Sequence, residues 1–352
     1  MFSNKPNEIL SQYVEPLGDG YCTVCWTSSD EYVPILCSSI KSLIDNISVD
    51  KQYDLVVMST DMSVVNKTMI TNMVSEATGV SIRFIDVSGW VDAYNFHTWA
   101  HFKAYTYYRL LIPTLFKKYK KVVYLDSDTI VCKDIYDLFE IDIDSYMLAA
   151  AYDTHVMGRL NNPNPEDLEY YLGQLQIGDS GYFQAGVILF NIQSFNSRYS
   201  DDELIIMASQ TKYLWLDQDF LNVICRGKVK FLPNHWNVMV LNNGIIDEEY
   251  LPEQLYQDYV SARVDPSIIH YIGRSVPCFK PMVEYQHLFW KYAKQTPYYE
   301  QLIYKMIIEN EFSKLKDEYG WIITMCETAL PKESRRYKLA RKVGSFLSNR
   351  YQ

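Results

Sequence analysis

The stretch Val122-Val123-Tyr124-Leu125-Asp126-Ser127-Asp128 puts two carboxylates, one residue apart, at the end of a short apolar run. That spacing lets both turn toward one point. Two hard oxygen donors there suit Mg²⁺ or Mn²⁺ bridging a diphosphate. Asp-x-Asp alone is a weak signal, and it recurs as Asp142-Ile143-Asp144 and Asp217-Gln218-Asp219. Context separates the first copy: a buried strand ends there, where parallel sheets bind ligands. Asp217 and Asp219 instead follow Tyr213-Leu214-Trp215 and open a predicted helix, where capping competes with ligand binding. His270 ends the apolar pair Ile268-Ile269, and taken alone it reads as a packed core histidine. Cys22-Thr23-Val24-Cys25 has redox spacing but lies inside an apolar strand-like run, with no helix start to activate a thiol.

The elements that must position these residues alternate between strand and helix. Strands are predicted at Tyr21–Thr27, Asp54–Ser59, Ser81–Asp86 and Lys121–Leu125. Helical patterns lie between them over Val33–Ile44, Val64–Glu76 and Phe102–Tyr119. This alternation predicts parallel βαβ units in a doubly wound sheet. Tyr146–Tyr152 and Tyr182–Asn191 read as further strands, and the chain between them as a loop or lid. After Ser194 the pattern is mostly helical.

Length admits two domains, or one large α/β domain with an appendage, in 352 residues. Apolar residues at 48% and charged residues at 22% exclude wholesale disorder. A net charge of −10 argues against nucleic-acid binding. No run approaches the ~18 apolar residues of a membrane span. The start, MFSNKPNEIL, lacks the apolar segment of a secretory signal. Seven scattered cysteines suggest reduced thiols in a cytosol.

Two reaction classes use a strand-end carboxylate pair of this kind. One is sugar transfer from a nucleotide sugar, where the metal neutralises the leaving diphosphate. The other is haloacid-dehalogenase-type phosphate hydrolysis with Asp126 as nucleophile, since Asp126-Ser127-Asp128-Thr129 fits that motif. The hydrolase also needs a second acidic pair after an apolar strand, and Asp201-Asp202 follows no strand. A catalytically inactive scaffold that binds a UDP-sugar is a third reading.

Ordered blocks favour the transferase. Thr27–Leu43, Ser81–Val87, Tyr107-Tyr108-Arg109-Leu110 with Tyr124–Asp128, Tyr182–Asn191, Leu216–Asn222 and His270-Tyr271-Ile272-Gly273 follow one another. Together, over about residues 21–282, they resemble glycosyltransferase family 8. These retaining nucleotide-sugar transferases include bacterial lipooligosaccharide galactosyltransferases and glycogenins. The resemblance implies a GT-A fold: one Rossmann-like mixed α/β sheet flanked by helices over 20–283, with a helical extension over 284–352. It implies that Asp126, Asp128 and His270 hold Mn²⁺, with Mg²⁺ as the alternative. The nucleotide would lie against Thr27, Ser29, Glu31, Asp126, Ser127, Gly273 and Lys280. Ser29 stands where the bacterial galactosyltransferases carry Asp. Lys280 lies farther from His270 than usual, and Arg274 is the alternative. The donor sugar would meet Arg109, Asp153, Gln184 and Asp217. Asp217, Gln218 and Gln184 would be catalytic, with Gln218 nearest the anomeric carbon. Gln184 replaces the more usual Asn. His101 resembles a position near the acceptor cleft. The implied reaction moves glucose or galactose from its UDP derivative to a saccharide, lipid-linked or protein-linked glycan.

The tail from Lys332 carries seven basic residues against Glu333, a net +6, which leaves −16 for the rest. Leu339, Val343, Phe346 and Leu347 share one helical face there. Such an end can lie on anionic lipid. The expectation is a cytoplasmic protein working peripherally at the inner membrane face through 332–352.

Overall fold

The computed structural model describes residues 13–98, 104–241 and 244–311. Among these residues, ten strands build two sheets. The larger uses β1 (Tyr21–Thr27), β2 (Gln52–Ser59), β3 (Val80–Asp86), β4 (Lys121–Leu125), β6 (Leu148–Ala151), β7 (Val187–Asn191) and β8 (Val229–Leu232). Its order is β3-β2-β1-β4-β7-β6-β8. The first four strands are parallel, and β7 runs antiparallel to both β4 and β6. The smaller sheet, in the order β5-β10-β9, uses β5 (Thr129–Val131), β9 (Val238–Val240) and β10 (Ile268–Tyr271).

β4 is central because it is apolar on both faces, as a strand covered twice must be. Val123 and Leu125 join one core with the helix Val33–Ile44, while Val122 and Tyr124 join the other. In β1, Cys22 packs in the first core and Cys25 in the second, so the two thiols face apart. Burial pushes both thiols well above their ordinary range, which suits packing and not redox chemistry.

The connection from β4 to β5 is only Asp126-Ser127-Asp128. The carboxylate pair is therefore the hinge between the two sheets. β10 pairs antiparallel with β5, putting His270 opposite Thr129, and the Tyr271 amide donates to the Asp128 carbonyl at 3.0 Å.

Several expectations shift. Val33–Ile44 and Lys121–Leu125 form as read. The strand expected over Tyr182–Asn191 is regular only from Val187, because the residues before it bend into the site described below. The helix expected over Phe102–Tyr119 forms as a 3₁₀ segment, Ala104–Leu111, followed by a short α-helix, Ile112–Leu115. Pro113 sits in the first turn of that second helix, where its missing N–H costs nothing. The lid has regular structure, including a helix at Thr154–Asn161 and a π-helical turn at Leu168–Gln174. The largely helical region after Ser194 contains β8, β9 and β10, whose three or four residues are too few to register as a period.

The extension packs onto the body. Phe289, Tyr292 and Leu302 share a core with Ile35, Ile130 and Ile269, and the Asn46 side-chain amide donates to the Tyr292 hydroxyl at 2.9 Å. No helix among the described residues is long and apolar enough to cross a membrane. His101 and the basic tail 332–352 lie outside the described residues.

Candidate active site

The strand ends open into a cavity of about 580 Å³, within the range of small-molecule sites. Asp126 and Asp128 reach it from the inter-sheet hinge, and His270 from β10. His270 Nε2 lies 3.3 Å from Asp128 Oδ1 and 3.7 Å from Asp126 Oδ2. One donor atom from each of the three lies within 4.8 Å of the others. Two carboxylate oxygens and one imidazole nitrogen fit a divalent ion that accepts both donor types.

Asn237 completes this arrangement, and sequence reading missed it. It is buried, its Oδ1 lies 3.1 Å from His270 Nδ1, and its Nδ2 donates to Gln184 Oε1 at 2.7 Å. A carbonyl oxygen only accepts, so Nδ1–H donates to Asn237, and the ring is held with Nε2 toward the carboxylates. No local pattern marks an asparagine before a three-residue strand. Asn237→Ala is expected to weaken Mn²⁺ binding about tenfold, measured by titrating the free ion by electron paramagnetic resonance. Unchanged affinity would remove this role.

Gly186 was read only as part of a strand. A Cβ there would sit 2.1 Å from His270 Cε1 and 2.7 Å from Asp126 Oδ2. Its amide donates to Gln184 Oε1 at 2.7 Å, and its carbonyl accepts from the Asp126 amide at 2.7 Å. Residues 182–184 keep backbone bonds to 151–153, and Ala185-Gly186 form the turn that leads into β7. An Ala-Gly pair interrupting an apolar run was the available signal.

Arg109 lies buried between two carboxylates. Its Nη2 is 2.9 Å from Asp126 Oδ1 and its Nε is 2.9 Å from Asp217 Oδ2. Nη1 donates to the Ala185 carbonyl, and the guanidinium lies 4.6 Å from the centre of the Tyr124 ring. Burial works against its charge, but Asp126 and Asp217 outweigh burial and raise its pKa. The Nε–H points to the Thr106 carbonyl at 3.1 Å, so Asp217 Oδ2 receives charge but no aligned hydrogen bond. Leu216, just before Asp217, has φ +51° in a buried position. That is a strained conformation for a leucine, held by its surroundings.

Burial, and secondarily the charge of Asp126, pushes Asp217 up to about 7 against the pull of Arg109. The folded state therefore holds this proton more tightly than the unfolded chain does. Under chelation the contribution is fully present below about pH 4 and is lost as pH rises through about 7. Asp217→Asn is expected to flatten the stability slope over that window, read from denaturant midpoints. A slope equal to the parent's would contradict this.

Asp219 behaves differently. It accepts the Tyr170 and Tyr182 hydroxyls at 2.5 Å each and the Trp215 amide at 2.6 Å. It ties the lid to the helix Leu216–Ile224 and does not line the cavity. Gln218 does line it, with its amide fully engaged: Oε1 accepts from the Ala185 amide at 2.9 Å, and Nε2 reaches Asp153 Oδ2 at 3.0 Å. Asp153 also caps the helix Thr154–Asn161 through the Val156 amide, and burial raises its pKa.

At the β1 end, Thr27, Ser29 and Glu31 line the cavity. The Ser127 hydroxyl donates to the Thr27 carbonyl at 2.9 Å and ties β1 to the hinge. Tyr32, also unanticipated, donates to Asp128 Oδ2 at 3.4 Å. Gly273 has φ +61°, a conformation glycine adopts freely, and its backbone forms part of the wall. Lys280 is not among the lining residues. Its amide closes a turn onto the Val276 carbonyl, and the cations at that wall are Arg274 and Lys305. Asp201, of the hydrolase reading, pairs with Lys117 and Tyr13 outside the cavity.

A mixed α/β sheet flanked by helices, with an Asp-Asp-His group facing a cavity at its strand ends, has the architecture of a GT-A glycosyltransferase. Residues 23–281 match the model of glycosyl transferase family 8, and the chain belongs to that family. A putative glycosyltransferase of Haemophilus influenzae is 30% identical over 231 residues, covering 65% of this chain and 66% of that one. Among solved structures, the apo form of the bifunctional glycosyltransferase WbbM aligns with TM-score 0.74 and 32% identity. It covers 83% of this chain, which spans only 53% of WbbM. The galactosyltransferase LgtC, solved with donor and acceptor sugar analogues, aligns with TM-score 0.63 and 20% identity, covering 78% of this chain and 96% of LgtC.

Proposed function

We propose that the protein transfers a hexose, glucose or galactose, from its UDP derivative to a saccharide, lipid-linked or protein-linked glycan, with retention of configuration. The observation that carries this is one cavity holding both halves of the chemistry. Asp126, Asp128 and His270 line it together with Arg109, Asp217, Gln218 and Gln184, which we assign to the donor sugar. Mn²⁺ held by the three ligands would supply positive charge to the leaving diphosphate.

The chain's own residues orient the donor. Arg109 holds Asp126 and Asp217 in fixed positions, so both ends of the donor refer to one rigid cation. Gln184 and Asp217 present an amide and a carboxyl to the sugar hydroxyls. Gln218, with its amide held on both sides, is a positioning group and a poor nucleophile. Front-face attack through an oxocarbenium-like transition state follows, with the leaving diphosphate taking the acceptor proton. A trapped glycosyl adduct on Asp217 would overturn that route. His155 and Trp215, at the same cavity, are offered as acceptor contacts. A cytoplasmic setting with the tail on an anionic membrane face is part of the same proposal, resting on the tail's net +6.

The test is UDP release from a panel of UDP-sugars, with Mn²⁺ and with chelator. Release confined to one or two UDP-hexoses and lost on chelation is expected. Metal-independent phosphatase activity, or no release from any UDP-sugar, would overturn the reading.

A further inference from the structure

We infer that Lys305, on the helix 299–311 beyond the family-matched region, supplies the protein cation for the diphosphate of the bound nucleotide. The inference rests on the donor reading above. Lys305 and Glu309 are one helical turn apart, so they share a face, and both line the cavity. The wall they complete starts at Gly273, three residues after the metal-type ligand His270.

The helix is held firmly in this place. Leu302 is fully buried with Val276, Cys278 and Phe289, and the Tyr298 hydroxyl donates to Asn66 Oδ1 at 2.5 Å. Glu309 pairs with Arg274, which latches the helix to the turn after Gly273 and neutralises that arginine. Lys305 makes no ion pair among the described residues. Its Nζ rests 4.7 Å from the centre of the Phe279 ring, a weak contact that an anion displaces readily.

Charge balance calls for such a cation. A diphosphate brings more negative charge to a site that already carries Asp126 and Asp128, and one divalent ion does not offset both. Arg109 is committed to carboxylates and Arg274 to Glu309. A lysine ammonium on a flexible stem meets phosphate as a mobile point charge.

The test compares UDP and uridine binding to the full chain by calorimetry with Mn²⁺ present. Lys305→Ala is expected to weaken UDP about tenfold and leave uridine unchanged. Lys305→Arg should keep UDP affinity within about threefold, since the charge is retained. Unchanged UDP affinity in Lys305→Ala would overturn the assignment. So would an equal loss for uridine, which would make Lys305 a packing residue. A parent protein that binds uridine and UDP equally well has no diphosphate site for Lys305 to serve, and one that binds neither refutes the donor reading itself.

Discussion

Asp128→Asn is expected to lower kcat/KM for the UDP-hexose by about 10²- to 10³-fold, the scale seen when one group that stabilises developing charge is removed. Asp128 is the cleaner of the two hinge carboxylates to change. Asp126 also holds Arg109 and the Tyr124 hydroxyl, at 2.9 and 2.7 Å, so its loss would disturb the residues assigned to the donor sugar as well. The Asp128 carboxylate faces His270 at 3.3 Å and, among the described residues, otherwise accepts a long bond from Tyr32. An amide keeps that bond and the shape but loses the charge that attracts a divalent ion. Mn²⁺ affinity should therefore fall together with turnover, while the melting temperature under chelation stays close to the parent's. Activity within threefold of the parent at low Mn²⁺ would remove Asp128 from the metal set.

Gly186→Ala should be nearly as damaging, although it adds one methyl group to a residue that does not line the cavity. The new Cβ would overlap the His270 ring and Asp126 Oδ2, both of which are also held from their other sides. His270 is buried and tied through Nδ1 to Asn237, and Asp126 is tied to Arg109. Neither can yield without opening the triad. Overpacking of this kind costs about 1–3 kcal/mol of stability. On the proposed function, displacement of Asp126 and His270 should also lower kcat/KM about 100-fold, in line with the cost of small misplacements near reacting groups. Crystals of the variant should show His270 turned away from Asp128. A variant with parental Mn²⁺ affinity and turnover would mean the site tolerates a Cβ here.

Much of the frame was legible because its signals are local. The strand Lys121–Leu125 and the helix Val33–Ile44 are marked by apolar patterning within a few residues. Asp153, Gln184, Asp217 and Gln218 all line the cavity. Asp219, read as a helix-capping candidate, accepts the Trp215 amide at the start of its helix and two tyrosine hydroxyls from the lid side. Asn237 and Gly186 were not legible as site residues. Each matters because of what lies across from it, and that partner is remote in the chain.

The sequence by itself determined that two carboxylates end a doubly covered strand, because an apolar run followed by Asp-Ser-Asp is a local fact. It also determined the order of the blocks that mark family 8. The resemblance also named His270 as the third donor, but only the tertiary structure shows how it reaches the pair and which lysine stands on the cavity wall. His270 arrives through the pairing of β10 with β5. Lys305, and not Lys280, stands on the cavity wall because Leu302 docks its helix beside Val276 and Cys278. Strand register and helix docking are set by cooperative burial across the whole core, so they leave no mark at the residues they bring together.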